Sequence, residues 1–135
     1  MLTLTNARLV DPESDTLRPG GLVIRDGRIA EIFEGDRPGE DCGGKCLAPG
    51  IIDIGVKVGE PGERHKESFR TAGAAAAAGG VTTMVTRPDT APAIDTPETL
   101  EFLQRRAVEA SPVHVLPMAA LTKGRDGHEM TEIGF

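Results

Sequence analysis

Strand-like and helix-like segments alternate along the second part of the chain, and this order constrains the fold more than any other feature. The segments are strand 51–58, helix 68–78, strand 81–86, a helix opening at 96–98, and strand 113–119. Strands that alternate with helices form parallel sheets through right-handed crossovers. We therefore predict an α/β fold in which Ile51, Val81 and Val113 begin adjacent parallel strands, the first two of them buried.

The predicted helices carry recognisable start and stop signals. Ser68 or a nearby polar residue is a suitable cap for the first helix, and Gly79-Gly80 ends it. Pro97 stands in the first turn of the second helix. A further helix is predicted from Gly127 to Ile133.

Residues 1–48 have a different character, with short strands joined by tight turns. The first strand is expected to kink near Asn6, where its alternation breaks. Asp26-Gly27 predicts a hairpin turn between strands 22–25 and 28–32. One more short strand is expected at 46–48. We expect a small β-sandwich-type domain over 1–48 and a second domain over 49–135.

Composition excludes several classes of function. The 135 residues carry a net charge of -6 without a run of Lys or Arg, so nucleic-acid binding is not expected. No apolar run approaches the roughly 20 residues of a membrane helix. Asn6, Arg8 and Asp11 interrupt the N-terminal apolar stretch, unlike a signal peptide, so we expect a cytoplasmic protein. Cys42 and Cys46 are then expected to be reduced thiols, although their spacing also suits a metal or a disulfide.

Several motifs occur in a fixed order along the chain. They are Leu47-Ala48-Pro49-Gly50-Ile51-Ile52-Asp53, Glu60-Pro61-Gly62, His65-Lys66-Glu67, the Ala-rich stretch 75–83, Pro88-Asp89-Thr90, and 120–124 followed by Glu129, Glu132 and Gly134. Together they resemble the dihydroorotases of the amidohydrolase superfamily. Hydantoinases and allantoinases share the fold, but their sequences resemble this chain less around residues 60–67.

The resemblance implies a TIM-type (β/α)8 barrel, of which 49–135 would be the first βα units. A whole barrel takes roughly 250 residues, so the barrel is expected to be incomplete in this chain. The chain ends at Gly134-Phe135 within a predicted helix, and we expect it to be a fragment. Dihydroorotases interconvert dihydroorotate and carbamoyl-aspartate in pyrimidine biosynthesis. Their first barrel strand ends in Asp-x-His-x-His-x-Arg, whose two His bind zinc and whose Arg binds the substrate carboxylate.

The corresponding stretch of this chain lacks these groups. After Asp53, Gly55 and Lys57 stand at the two His positions, and Gly59 stands at the Arg position. Asp89 replaces the family's carboxylate-binding Asn. Gly offers no ligand atom, and protonated Lys has no acceptor. We therefore predict a degenerate site with no catalytic residue, no metal ligand and no bound cofactor.

Other polar residues near this stretch have structural explanations. His65, His114 and His128 are each expected to be structural or solvated, although a displaced metal site is conceivable for them. Glu60 and Glu67 are expected to serve as turn and cap residues instead of general bases.

Two functional hypotheses remain open from the sequence. The first is a non-catalytic dihydroorotase homologue, a pseudoenzyme that forms an oligomer and partners aspartate transcarbamoylase, as the resemblance implies. The second is an active zinc-dependent cyclic amidohydrolase with a displaced or atypical metal site. The two-residue period of a strand places Asp53, Gly55 and Lys57 on one face, which is expected to point to the barrel interior. A related hypothesis treats Lys57 as a buried substitute for the metal, paired with Asp53 or with an acid from a later strand. Its alternative is that Lys57 reaches solvent.

Overall fold

The computed structural model describes residues 1–133 of the chain. The protein divides into two compact units, Met1–Pro49 and Gly50–Phe135. Among the described residues, no helix is long and apolar enough to cross a lipid bilayer.

The first unit is one mixed β-sheet. Its strands are β1 (Leu2–Asp11), β2 (Thr16–Arg25), β3 (Arg28–Phe33), β4 (Glu40–Asp41) and β5 (Cys46–Leu47). The order is β3-β2-β1-β4, and β5 also pairs with β1. β1, β2 and β3 are antiparallel neighbours, whereas β4 and β5 run parallel to β1. A sandwich needs a second sheet packed on such a face, and Met1–Pro49 supplies one sheet only.

Local sequence signals determine the bends in this sheet. Asn6 has a φ of 51°, and the β1–β2 register shifts between Leu4 and Ala7, so the predicted kink is confirmed. Asp26 and Gly27 both have positive φ, as a two-residue hairpin turn of this kind requires. β2 begins at Thr16, several residues earlier than expected, because the segment preceding Gly20 pairs with the end of β1.

The second unit alternates strands and helices. Its elements are β6 (Ile51–Val56), α1 (Phe69–Ala78), β7 (Val81–Thr86), α2 (Pro97–Ala110) and β8 (His114–Pro117). All pairs are parallel, in the order β6-β7-β8. The prediction of three adjacent parallel strands is confirmed.

Capping residues begin both helices where the sequence indicates. The Ser68 hydroxyl accepts the Thr71 N–H, and the Thr71 hydroxyl accepts the Ser68 N–H, which completes a capping box. At the start of α2, the Thr96 hydroxyl accepts the Thr99 N–H, and Pro97 stands at the first helical position. In α1, a Cβ on Gly73 would lie 2.4 Å from Oγ of Ser111, so only glycine permits this close approach.

The hydrophobic core lies between the sheet and the two helices. Its buried residues are Val58, Phe69, Ala72, Met84, Ile94, Leu103 and Ala107. The other sheet face carries an aligned row, Ile54–Val85–Leu116, in which Ile54 is 71% exposed. The prediction of a fully buried strand is therefore wrong for Ile51 to Ile54, because all four residues are exposed to solvent.

The predicted helix from Gly127 to Ile133 is also wrong. A single 3-10 turn, Lys123–Arg125, precedes an isolated bridge between Thr122 and Met130. Gly127 has a φ of 82°, outside the helical region, so it interrupts any helix at this point. Gly134 and Phe135, where we placed the end of the fragment, lie outside the described residues.

Candidate functional site at the ends of β6 and β7

The predicted site positions lie at the carboxyl ends of the parallel strands. Residues 57–68 follow β6, and residues 87–96 follow β7; we call these two segments the mouth loops. In α/β folds, loops at this end of the sheet build the binding sites.

An ion-pair cluster joins the two mouth loops. Lys57 Nζ lies 3.3 Å from Oδ2 of Asp89, and Arg87 Nη2 lies 2.9 Å from the same oxygen. The Asp89 side chain is only 10% exposed, whereas both cations are about half exposed. Oδ1 of Asp89 is buried and has no hydrogen-bond partner in the described part of the chain.

The charge of this cluster favours the ionised carboxylate. Burial acts to raise the pKa of Asp89, but the hydrogen bond from Lys57 and the charge of Arg87 outweigh burial. The net effect is a pKa below the ordinary value of 3.8. Asp89 therefore remains an anion at neutral pH, facing cations of its own chain.

The geometry separates the alternatives for Lys57. Lys57 is not a buried ammonium, because its side chain is 56% exposed, in agreement with the alternative that it reaches solvent. Its partner is Asp89, an acid that follows a later strand, and not Asp53. The register sets Asp53 beside Met84, a core residue on the helix side, whereas Ile54 lies beside Val85 on the uncovered face.

Gly55 breaks the two-residue period that the sequence suggested for this strand. The β6–β7 register shifts between Ile54 and Val56, which leaves Gly55 as an unpaired bulge with a φ of 96°. The expectation that Asp53, Gly55 and Lys57 share one face is therefore wrong. Space is open around a Cβ at Gly55, but a side chain there would require a strained backbone.

Gly59 is packed directly against the backbone of its own loop. A Cβ at this position would lie 2.5 Å from the Glu63 carbonyl oxygen and 2.9 Å from that of Glu67. The Gly59 carbonyl also accepts the Glu63 N–H at 2.6 Å. No side chain fits at Gly59 unless this turn moves.

Glu60 is a buried structural carboxylate. Its Oε2 accepts the Phe69 N–H at the start of α1, at 3.0 Å, where the helix dipole also favours an anion. Its Oε1 accepts Nε of Arg106 from α2 at 2.9 Å and has Arg64 at 3.7 Å. This cap role agrees with the expectation from the sequence.

The two mouth loops also touch through main-chain atoms. Gly62 has a φ of 89°, and a Cβ there would lie 1.9 Å from the Ala91 carbonyl oxygen. The Arg87 N–H donates to the Val56 carbonyl at 2.9 Å. Glycine at position 62 is therefore required for the loops to meet.

Known proteins resemble this chain both in sequence and in fold. Residues 44–135 match the family described as Dihydro-orotase-like. The chain belongs to this family. Among curated relatives, it is 39% identical to a dihydroorotase of Endomicrobium trichonymphae over 98% of this chain, and 40% identical to a dihydroorotase of Bacillus cytotoxicus over 94%. It spans 32% and 30% of those two proteins, or about a third of their length.

Solved structures share the fold of this chain. L-hydantoinase (dihydropyrimidinase) from Arthrobacter aurescens superposes with a TM-score of 0.82 at 25% identity, over 90% of this chain and 28% of its own. D-hydantoinase from Thermus sp. superposes with a TM-score of 0.66 at 18% identity, over the same 90% and also 28% of its own chain, and shows likeness of fold alone.

The zinc that the dihydroorotase resemblance implies does not fit these residues. Gly55 and Gly59 have no side-chain donor atoms, and the Lys57 ammonium is engaged with a carboxylate. Asp89 is turned onto two cations, which leaves its second oxygen buried. Within residues 1–133, no three His, Cys, Asp or Glu side chains cluster closely enough to hold a metal ion.

The remaining candidates lie apart from the cluster. His65, His114 and His128 are all exposed to solvent. Cys42 and Cys46 are free thiols in the first unit.

Sequence reasoning missed two cations of the site. Arg87 lies two residues before Asp89, and this short spacing was a signal that the sequence offered. Arg106 lies 46 residues from Glu60, and no local pattern reveals a pairing over that distance.

Proposed function

We propose that this member of the Dihydro-orotase-like family does not catalyse a reaction at the ends of β6 and β7, and serves as a structural partner of aspartate transcarbamoylase in pyrimidine biosynthesis. The proposal places the protein in the cytoplasm, within an oligomer. The partner comes from the dihydroorotase resemblance, which is an analogy between proteins of one fold. The loss of catalysis is argued from the site itself.

The packing of Gly59 carries the proposal. An Arg at this position would bind the substrate carboxylate in a dihydroorotase, but here the Glu63 and Glu67 carbonyls occupy the space of a Cβ. The loss of the Arg is therefore accompanied by a loop conformation that leaves no room for a side chain at position 59. Lys57 paired with Asp89 supports the same conclusion, because neither group is free to hold a metal or a carboxylate.

We further propose that β6, β7 and β8 are the first strands of a TIM-type (β/α)8 barrel that this chain leaves incomplete. The aligned row of Ile54, Val85 and Leu116 would then face the barrel interior. Parallel sheets are normally covered on both faces, and later strands of a longer chain would supply that cover. The length of the curated relatives, about three times that of this chain, supports this interpretation.

The alternative function is an active zinc-dependent cyclic amidohydrolase with a displaced metal site. Identities of 39% and 40% to proteins named dihydroorotase favour it, as does the superposition on a hydantoinase. Its metal ligands would have to come from residues other than Gly55 and Lys57.

A dihydroorotase assay combined with metal analysis separates the two functions. The purified protein is assayed in both directions after incubation with zinc, beside the Bacillus cytotoxicus dihydroorotase as a positive control. We expect no turnover above background and no stoichiometric zinc. Turnover that is abolished by a chelator and restored by zinc would establish the alternative. Co-elution with aspartate transcarbamoylase in size-exclusion chromatography tests the partner, and separate elution at micromolar concentrations would argue against it.

A further inference from the structure

The ion-pair cluster between the mouth loops provides what we call an internal cation, a positive charge that the chain's own side chains supply. We propose that the Lys57 ammonium, together with the Arg87 guanidinium, replaces a metal ion as the positive charge that holds the loop after β7 against the end of β6. The inference deepens the proposed function and rests on it, because it assigns a structural role to Lys57, which stands at the position of a metal ligand in dihydroorotases.

The carboxylate that the two cations share is buried. The Asp89 side chain is nine-tenths buried, and a carboxylate in such surroundings needs a counter-charge. Its two partners, Lys57 and Arg87, both contact Oδ2. With Oδ1 unpartnered in the described chain, the stability of the anion depends on these two cations.

The cluster lies where the carboxyl ends of β6 and β7 meet. Asp89 lies in the loop that follows β7, and Lys57 lies directly after β6. The Arg87 N–H already bonds to the Val56 carbonyl, so the ion pairs act where the two strand ends are joined. A cation at this point fixes the loop geometry without any ligand from outside the chain.

Lys57 and Arg87 share one acceptor, Oδ2 of Asp89. Half-exposed ion pairs contribute little individually, because solvent screens them. Two cations on one buried acceptor can substitute for each other, so the loss of either leaves Asp89 with a partner. The loss of both leaves a buried charge without compensation, which is much more unfavourable. The effects of removing Lys57 and Arg87 on stability are therefore expected to be strongly non-additive.

Thermal unfolding of the full chain tests the proposal. We expect Lys57→Met and Arg87→Met each to lower the melting temperature by about 2–4 °C, and the double variant to lower it by clearly more than the sum. Lys57→Arg should keep the wild-type value. Lys66→Met is the matched control, because Lys66 pairs with Glu63 on the surface, and it should change nothing. In an Asp89→Asn background, Lys57→Met should have almost no effect, and this comparison remains available if the double variant fails to fold.

Zinc provides the second measurement. A ligand that binds the folded state raises the melting temperature. If the chain's own cations replace the metal ion, zinc has no site to bind, so neither a chelator nor excess zinc should shift the melting temperature of the wild-type chain. An unchanged melting temperature in the double Met variant would overturn the proposal, and so would a zinc-dependent rise in the wild type. The dihydroorotase assay is independent of both outcomes. Activity together with the expected melting shifts would contradict only the proposed function, whereas inactivity without those shifts would contradict only the internal cation.

Discussion

The Arg106 guanidinium of α2 donates through Nε to Oε1 of Glu60 at 2.9 Å, while the other oxygen of Glu60 accepts the first N–H of α1. One buried carboxylate thus joins the start of one helix to the middle of the next. The pair also lies beside Gly59, so it supports the mouth loop that carries the degenerate positions.

Removal of Arg106 should destabilise the protein, because it leaves the buried Glu60 carboxylate without its nearest cation. We expect Arg106→Ala to lower the free energy of unfolding by about 1–3 kcal/mol, because Glu60 keeps Arg64 only at the longer distance of 3.7 Å. Urea denaturation measures the change. Arg105→Ala is the matched control, since Arg105 is exposed on the same helix, and its effect should stay within about 0.5 kcal/mol. Equal effects of the two variants would contradict a role for the Glu60 pair.

Acid should remove the stabilisation that Asp89 provides. The pKa of Asp89 is lower in the folded state than its ordinary value of 3.8, so the folded protein favours the ionised form. This contribution is fully present above pH 3.8 and is lost as the pH falls through the folded pKa. We expect the difference in melting temperature between wild type and Asp89→Asn to be largest near neutral pH and to shrink at acid pH. A difference that grows towards acid would have the wrong sign.

Restoration of the family motif should not restore activity. In a Gly55→His, Lys57→His variant, the first His requires a φ of 96°, and the Gly59 and Asp89 positions still cannot bind a substrate carboxylate. We expect no turnover in the zinc-supplemented dihydroorotase assay. Activity in this double variant would show that the rest of the site is intact.

Substitution of Gly59 by Arg should reduce the stability of the protein. The new Cβ meets two carbonyl oxygens at 2.5 and 2.9 Å, so the loop must shift, at a free-energy cost of about 1–3 kcal/mol. Gly79→Arg serves as the comparison, because Gly79 has a negative φ and its Cβ would have no heavy atom closer than 3.5 Å. A Gly59→Arg variant no less stable than Gly79→Arg would contradict the steric argument.

The core between the helices and the sheet should respond strongly to truncation. Leu103 is completely buried, and Leu103→Ala should lower the free energy of unfolding by about 2–5 kcal/mol through the cavity it leaves. Val108 lies on the same helix but is 86% exposed, so Val108→Ala should change it by less than about 0.5 kcal/mol. Denaturant titration of the two variants checks the contrast.

Local signals determined much of the fold of this chain. The alternation of strand and helix patterns determined the parallel order of β6, β7 and β8, because βαβ crossovers permit few arrangements. Ser68, Pro97 and Asp26-Gly27 marked a cap, a helix start and a hairpin correctly, since each acts within a few residues. The loss of ligand chemistry at Gly55, Lys57 and Gly59 is likewise a property of residue types, independent of their surroundings.

Only the tertiary structure decided how these positions are used. The bulge at Gly55 arises from strand pairing, so the expected common face of Asp53 and Lys57 was wrong. The pairing of Lys57 with Asp89 and the bond from Arg106 to Glu60 each join segments that lie far apart in the sequence. The packing of Gly59 on Glu63 is local in sequence, but it depends on the conformation that the mouth loop adopts. The uncovered row containing Ile54 has the same cause: burial depends on what packs against a strand, and an apolar sequence cannot by itself supply that neighbour.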